Sequence, residues 1–136
     1  MDVQKFKPEL KKIAEKYGID MMVLFGSQAT GKTHPKSDVD IAVLARTKFD
    51  IYRLMIELYE IFKRSDVEVV DLSSVSPTLM RAVARDGRLI YEKHPGAFLK
   101  WKVYVGKIWM ETAWLRILRD RKLIKWAKDY RNAHAN

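Results

Sequence analysis

Short apolar runs and longer amphipathic runs alternate along this chain, a pattern typical of a mixed α/β domain. Apolar residues at helical spacing predict helices over residues 8–17, 50–63 and 77–86. Apolar runs bounded by loop residues predict strands over residues 19–25, 39–45, 67–72 and 88–92. We therefore predict an α/β (α+β) fold, in which helices flank a small mixed sheet.

The C-terminal third has a different pattern, which predicts one long helix from Gly96 to about Tyr130. Its apolar residues alternate steps of three and four, the spacing of a heptad seam: Phe98, Trp101, Val105, Ile108, Thr112 and Leu115. We therefore divide the chain into a domain over residues 1–94 and a helical extension over residues 95–136. The extension is expected to pack on the domain or on a partner.

Composition narrows the class of protein. The 136 residues suit one domain, and the absence of cysteine excludes disulfides, thiolate metal sites and thiol catalysis. The N-terminus has no apolar segment of the signal-peptide kind, and no apolar run approaches membrane-spanning length. The expectation is a cytoplasmic protein that does not enter a membrane.

The net charge of +9 is concentrated in the extension. Residues 1–94 contain 16 Lys and Arg against 14 Asp and Glu, whereas residues 95–136 contain 10 against 3. A basic extension on a nearly neutral domain is suited to an anionic partner, although a solvated helix face explains the same charge.

Two carboxylates at the start of the second predicted strand form a candidate metal site. Asp38 and Asp40 flank Val39, and residues i and i+2 of a strand point to the same face. Neighbouring carboxylates repel unless a cation joins them, and oxygen ligands without His or Cys favour Mg²⁺ or Mn²⁺. Asp71, at the end of the third predicted strand, is expected to complete a site for two metals about 3.5–4 Å apart, which supports displacement at phosphorus.

The loop before these carboxylates also matches a different motif. Residues 26–33 (GSQATGKT) satisfy the P-loop pattern, which requires a helix to begin at the Lys-Thr pair. Here His34-Pro35 follows at once, and a strand is predicted only a few residues later. A residue before proline avoids the helical region, so we interpret the P-loop match as accidental.

Gly26-Ser27, ten intervening residues and then Asp38-x-Asp40 resemble the minimal nucleotidyltransferases of the DNA polymerase beta superfamily. The resemblance covers roughly residues 8–92. It implies that Gly26 and Ser27 bind the phosphates of ATP, and that Asp38, Asp40 and Asp71 are catalytic and hold Mg²⁺. Residues 28–30 are uncharged where family members commonly have arginine, so the additional phosphate contact is expected from Lys32 or from a residue elsewhere.

Small members of this kind are the MntA-like antitoxins, which pair with a HEPN ribonuclease toxin. The resemblance implies that this chain transfers AMP from ATP to a tyrosine hydroxyl of such a toxin and so neutralises it. The alternatives are a catalytically weak antitoxin that acts by binding, and a nucleotidyltransferase that acts on a small molecule or an RNA end.

The role of the extension also stays open at this level. Its tryptophans and basic residues are compatible with nucleic-acid binding through stacking and phosphate contacts. Aromatic residues at helical spacing more often pack against protein, so we favour a protein interface, either with the toxin or in a homodimer.

Overall fold

The computed structural model of the chain describes residues 2–26, 29 and 38–135. After a 3-10 turn at Gln4–Phe6, the described helices are α1 (Lys7–Tyr17), α2 (Ile51–Phe62), α3 (Pro77–Asp86), α4 (Ala97–Glu111) and α5 (Ala113–Ala133). The described strands are β1 (Ile19–Phe25), β2 (Val39–Ala45), β3 (Val67–Asp71) and β4 (Arg88–Glu92). The predicted fold class is confirmed, and the predicted strands and first three helices agree with these bounds to within two residues.

The described strands form one mixed sheet in the order β3-β2-β1-β4. Strand β1 is antiparallel to both of its neighbours, β2 and β4, whereas β2 and β3 are parallel. Helix α2 makes the crossover that a parallel pair requires. As a result, the end of β1 and the starts of β2 and β3 lie at the same edge of the sheet.

Each face of the sheet is covered by its own apolar cluster. On one face, Ile41 and Val43 of β2 pack with α1 and α2, whose Leu10 and Leu58 are fully buried. On the other face, Ala42 packs in a cluster with residues of α3 and α4. Because strand residues alternate between the two faces, odd-numbered positions of β2 face the first cluster and even-numbered positions the second.

Side-chain hydrogen bonds and a left-handed glycine determine where these helices begin and end. The Asp50 carboxylate accepts hydrogen bonds from the backbone N–H groups of Tyr52 and Arg53 and so begins α2. The Ser76 hydroxyl accepts from the N–H of Leu79 at 3.2 Å at the start of α3. Gly18 ends α1 at φ 66°, a left-handed conformation that glycine adopts without strain.

The C-terminal extension is not the single helix that the sequence predicts. The helix breaks at Thr112, whose backbone has φ −96° and ψ 4°. The Thr112 hydroxyl donates to the carbonyl of Ile108 at 2.7 Å, and this type of back-bonding commonly bends helices. The buried seam also ends early, because Val105 is its last buried member.

The first half of the extension belongs to the packed body of the protein. Phe98, Trp101 and Val105 of α4 are buried in the cluster that also contains Val83 of α3. The predicted division at residues 94 and 95 stays a prediction. Over the residues that the structure describes, no helix combines the length and the apolar character needed to cross a bilayer.

Candidate active site

The edge where β1 ends and β2 and β3 begin brings a glycine and three carboxylates together. Phe25 of β1 lies opposite Asp40 of β2, and Asp40 in turn lies opposite Glu68 of β3. Gly26 follows Phe25 directly, and Asp38 precedes the first residue of β2. The register of three strands, rather than proximity in sequence, therefore assembles this edge.

Asp38 and Asp40 lie on either side of a residue that the core holds in place. Val39 is fully buried, and its N–H donates to the carbonyl of Asp66 at 3.0 Å. Burial raises the pKa of the Asp40 carboxyl above its ordinary value, and the negative charges of Glu68 and Asp38 raise it further. The carboxylates therefore interact electrostatically, as the sequence analysis expects of Asp38 and Asp40.

Gly26 packs against the carboxyl group of Asp40. The backbone of Gly26 has φ 73°, and a Cβ atom built on it would lie 2.5 Å from Oδ2 of Asp40. The carbonyl of Gly26 accepts a hydrogen bond from the N–H of Ala29 at 3.1 Å. Only glycine combines this backbone conformation with space for the carboxylate.

The structure does not bring Asp71 to this group. Asp71 lies opposite Val43, three positions further along β3 than Glu68, and strand alternation directs it to the other face of the sheet. Its carboxylate accepts from the N–H of Ser73 at 3.0 Å and from the Ser73 hydroxyl at 2.7 Å. The geometry therefore does not support the choice of Asp71 as third carboxylate, because this residue shapes the turn after β3.

Glu68 is the carboxylate that the sequence analysis missed. It stands between the buried residues Val67 and Val69, just as Asp40 stands between Val39 and Ile41. A polar side chain at the second position of two neighbouring strands was the available signal. The signal is weak without the register, because an isolated glutamate in a strand commonly faces solvent.

An ion pair borders the carboxylates. Arg64 donates to both carboxylate oxygens of Asp66, from Nε at 2.8 Å and from Nη2 at 2.7 Å. This pairing raises the pKa of Arg64, to which the charge of Asp38 also contributes, and it lowers the pKa of Asp66. Because the Asp66 carbonyl also accepts from Val39, the ion pair helps to hold the start of β2.

Two predicted nucleotide-binding residues, Ser27 and Lys32, lie outside the described residues, as does most of the loop that matches the P-loop pattern. The position of β2, which is described, tests the P-loop match. Strand β2 begins at Val39, as expected, only six residues after Thr33. The short interval agrees with the interpretation that the P-loop match is accidental.

The donor set suits a hard divalent cation that is shared with a substrate. Among residues 2–26, 29 and 38–135, no three acidic or histidine side chains already converge on one point as a metal cage would require. Mg²⁺ usually binds one or two carboxylates and completes its shell with substrate phosphates and water. Asp38 and Asp40 fit that mode, and the close contact between Gly26 and Asp40 puts the backbone at the end of β1 beside these carboxylates.

A cavity of about 780 Å³ lies at the opposite edge of the sheet, away from these carboxylates. Its lining includes Asp20, Leu44, Arg46, Trp101 and Tyr104. It contains none of the acidic residues discussed above. The candidate metal site at Asp38, Asp40 and Glu68 is therefore separate from this cavity.

Comparison with known proteins places these residues in context. A protein-family model described as polymerase beta, nucleotidyltransferase matches residues 8–96. The chain is 38% identical over 96 residues to the protein adenylyltransferase MntA of Aphanizomenon flos-aquae, covering 62% of this chain and 64% of that protein. It is 35% identical over 79 residues to MntA of Shewanella oneidensis, covering 54% of each. The matches thus span less than two thirds of the length of these curated relatives.

Solved structures show the same fold. A crystal structure described as a toxin–antitoxin with AMP-PNP contains a chain that is 25% identical, with a TM-score of 0.71. That match covers 86% of this chain and 98% of the other. A tri-AMPylated Shewanella oneidensis HEPN toxin in complex with MNT antitoxin gives a TM-score of 0.66 at 23% identity, covering 89% and 98%. This second likeness is evidence of the fold alone.

Proposed function

The chain belongs to the polymerase beta nucleotidyltransferase family, and on that premise we propose that it is a protein adenylyltransferase that neutralises a HEPN-type toxin. In the proposed reaction, a tyrosine hydroxyl oxygen of the toxin attacks the α-phosphorus of ATP. A new phosphoester bond forms, the bond to the β-phosphate oxygen breaks, and pyrophosphate leaves. The proton of the hydroxyl passes to a carboxylate of the site.

The names of related proteins support ATP as the proposed substrate and a HEPN-type toxin as the proposed partner. The two relatives are called protein adenylyltransferase MntA, and structural neighbours are toxin–antitoxin complexes, one with AMP-PNP and one with a tri-AMPylated HEPN toxin. We extend these properties to the present chain as part of the proposal. ATP is a cytoplasmic substrate, so the proposed site of action is the cytoplasm.

The carboxylate edge supplies the proposed catalytic groups. Asp38 and Asp40 would hold Mg²⁺, with Mn²⁺ as a substitute, and Gly26, Ser27 and Lys32 would contact the triphosphate. Glu68, opposite Asp40, takes the third position that the resemblance assigns to a carboxylate on the acceptor side. When bound, the divalent cations, of which two are expected, neutralise negative charge on the phosphates as pyrophosphate leaves.

The observation that carries this proposal is the position of Asp40 between Gly26 and Glu68. Gly26 allows a close approach to the Asp40 carboxyl group, and Glu68 adds a second negative charge from the next strand. Carboxylates that raise one another's pKa are stabilised in the charged form when a cation binds between them. The glycine beside them lets the backbone, rather than a side chain, approach the Asp40 carboxylate.

The test is transfer of label from α-³²P-ATP, with Mg²⁺, to a HEPN-type toxin incubated with this chain. We expect label on the toxin with the unaltered chain and none with Asp38→Asn combined with Asp40→Asn. The matched control is Asp2→Asn combined with Asp20→Asn, which removes two carboxylates elsewhere and should leave transfer unchanged. Toxin neutralisation that persists in the Asp38/Asp40 variant would contradict the catalytic proposal and establish neutralisation by binding.

A further inference from the structure

Helix α5 is 21 residues long and contributes no buried residue to the protein. Helix α4, directly before it, buries Phe98, Trp101 and Val105. Helices in water depend mainly on the packing of an apolar face for their stability. A helix of this length without such packing is therefore suited to receive a partner.

The exposed surface of α5 is rich in large apolar side chains. Those exposed over at least two fifths of their area are Trp114, Leu115, Ile117, Leu118, Leu123, Ile124, Trp126 and Tyr130. Each residue turns a helix by about 100°, so Leu118, Leu123 and Ile124 point in three directions at least about 100° apart. Apolar side chains on several sides are typical of a helix that other protein elements enclose.

The same helix is strongly basic. Seven Lys or Arg residues stand against two aspartates: Arg116, Arg119, Arg121, Lys122, Lys125, Lys128 and Arg131, against Asp120 and Asp129. Long basic side chains can cover apolar surface with their aliphatic stems and keep their charges at the rim of a contact. The complementary surface is therefore apolar where it meets the helix and acidic around it.

Contacts at the base of α5 fix its direction. The ring of Trp109 is flanked by two guanidinium groups, that of Arg81 from α3 at 4.5 Å and that of Arg116 at 3.4 Å from the ring centroid. Arg116 also donates to the Thr112 hydroxyl at 2.8 Å and to the Trp109 carbonyl at 2.7 Å. The first turn of α5 is thereby tied to α3 and α4, so the helix presents a preformed surface.

We propose that α5 is the docking helix for the acceptor protein, and that the acceptor encloses it in an apolar cleft bordered by acidic residues. This inference rests on the proposed function, because it names the surface that recruits the protein to be adenylylated. Buried aromatic residues and arginines supply much of the energy of protein interfaces, and α5 carries both kinds.

The observations favour an acceptor protein over a nucleic acid, a membrane surface or a second copy of the chain as the partner of α5. Leucine and isoleucine side chains on several sides of the helix gain nothing from a nucleic acid, which offers phosphates and base faces. A membrane surface would require one apolar side and one polar side, whereas the two kinds of residue are mixed around α5. A second copy of the chain would bring two helices with a net charge of +5 together.

The test measures docking separately from chemistry. In a full-length chain carrying Asp38→Asn and Asp40→Asn, the affinity for the HEPN-type protein is measured by calorimetry without ATP. Adding Leu118→Ser and Ile124→Ser should weaken the affinity at least tenfold. The control Tyr52→Ser with Ile56→Ser removes two apolar side chains of α2 that are more than half exposed, and it should change the affinity less than twofold. All four positions are exposed, so these variants should fold normally.

The same affinity measurement also tests the contribution of the basic residues of α5. Lys122→Gln combined with Lys125→Gln should weaken the complex, and raising the salt concentration should weaken the unaltered complex more than this variant. An unchanged affinity of the α5 serine variant would overturn the inference. So would sedimentation showing that the chain alone dimerises through Leu118 and Ile124, or binding of single-stranded RNA that these substitutions abolish while toxin affinity is kept.

Failure of the docking inference can be told from failure of the proposed function. A chain that binds the toxin through α5 but transfers no label contradicts adenylyl transfer and leaves the docking inference standing. A chain that transfers label equally with and without the serine substitutions contradicts docking through α5 and leaves the enzyme standing. If the proposed function and the docking inference are both correct, an excess of toxin should restore labelling by the Leu118→Ser/Ile124→Ser variant. It should not restore labelling by the Asp38→Asn/Asp40→Asn variant.

Discussion

Asp40 of β2 and Glu68 of β3 lie directly opposite each other in parallel strands, with their side chains on the same face of the sheet. After burial, the charge of Glu68 is the largest influence that raises the pKa of the Asp40 carboxyl. This relationship, together with the contact between Gly26 and Asp40, leads to the first two predictions below.

Glu68→Gln should lower the rate of AMP transfer by about 100-fold or more, because it removes a charge beside the reacting groups. Asp71→Asn should leave the rate within a few fold and lower the free energy of unfolding by about 1 kcal/mol, through weaker hydrogen bonds to Ser73. Single-turnover labelling and urea unfolding measure the two effects. The reverse order of rates would restore Asp71 as the third carboxylate, as the sequence analysis predicts.

Gly26→Ala should abolish most transfer, because its Cβ would lie 2.5 Å from Oδ2 of Asp40. Gly96→Ala is the matched control, since Gly96 also has a positive φ, of 90°, but nothing lies within 4 Å of the position of its Cβ. Backbone strain should cost both variants about 1 to 2 kcal/mol of stability. Transfer should be lost only in Gly26→Ala, and equal rates in the two variants would contradict a role for the Gly26 contact.

Gly87→Ala should destabilise the protein by about 1 to 3 kcal/mol through overpacking. Gly87 has φ −70°, which any residue adopts, but a Cβ there would lie 2.5 Å from Cγ1 of Val23 and would also collide with the carbonyl of Val83. Gly106→Ala, in the open interior of α4, should stabilise the protein by about 0.8 kcal/mol. Thermal and urea unfolding of the two variants should therefore shift in opposite directions.

The ion pair of Arg64 and Asp66 should make stability depend on pH. The hydrogen bond from Arg64 holds the pKa of Asp66 below its ordinary value of 3.8. A lowered folded pKa means that the pair stabilises the protein fully above about pH 5, and that this contribution is lost as the pH falls below 4.

Comparison with Asp66→Asn isolates this contribution. The difference in unfolding free energy between the unaltered chain and Asp66→Asn should be present at pH 7 and should shrink toward pH 3. Both side chains are about 30% exposed, so solvent screening keeps the difference below about 1 kcal/mol. A difference that is independent of pH would show that the pair does not act through its charges.

The sequence by itself determined the fold class and identified the two carboxylates, Asp38 and Asp40, on which the proposed site depends. The apolar run over residues 39–45 makes Asp40 stand out as a carboxylate within a buried strand, and Asp38 lies two positions before it on the same face. The sequence also shows that too few residues separate Thr33 from the second predicted strand to form the helix that a P-loop requires. These features depend on local spacing, and the structure agrees with them.

Only the tertiary structure decided which residues meet across strands and how the C-terminal helices end. Alternation places Glu68 and Asp71 on opposite faces of β3, but the register with β2 is set by packing between distant residues, and it puts Glu68 beside Asp40. Likewise, the heptad spacing of apolar residues does not show where along the helices these residues cease to be buried. The α3–α4 contact buries the seam as far as Val105, and beyond Thr112 helix α5 has no buried residue.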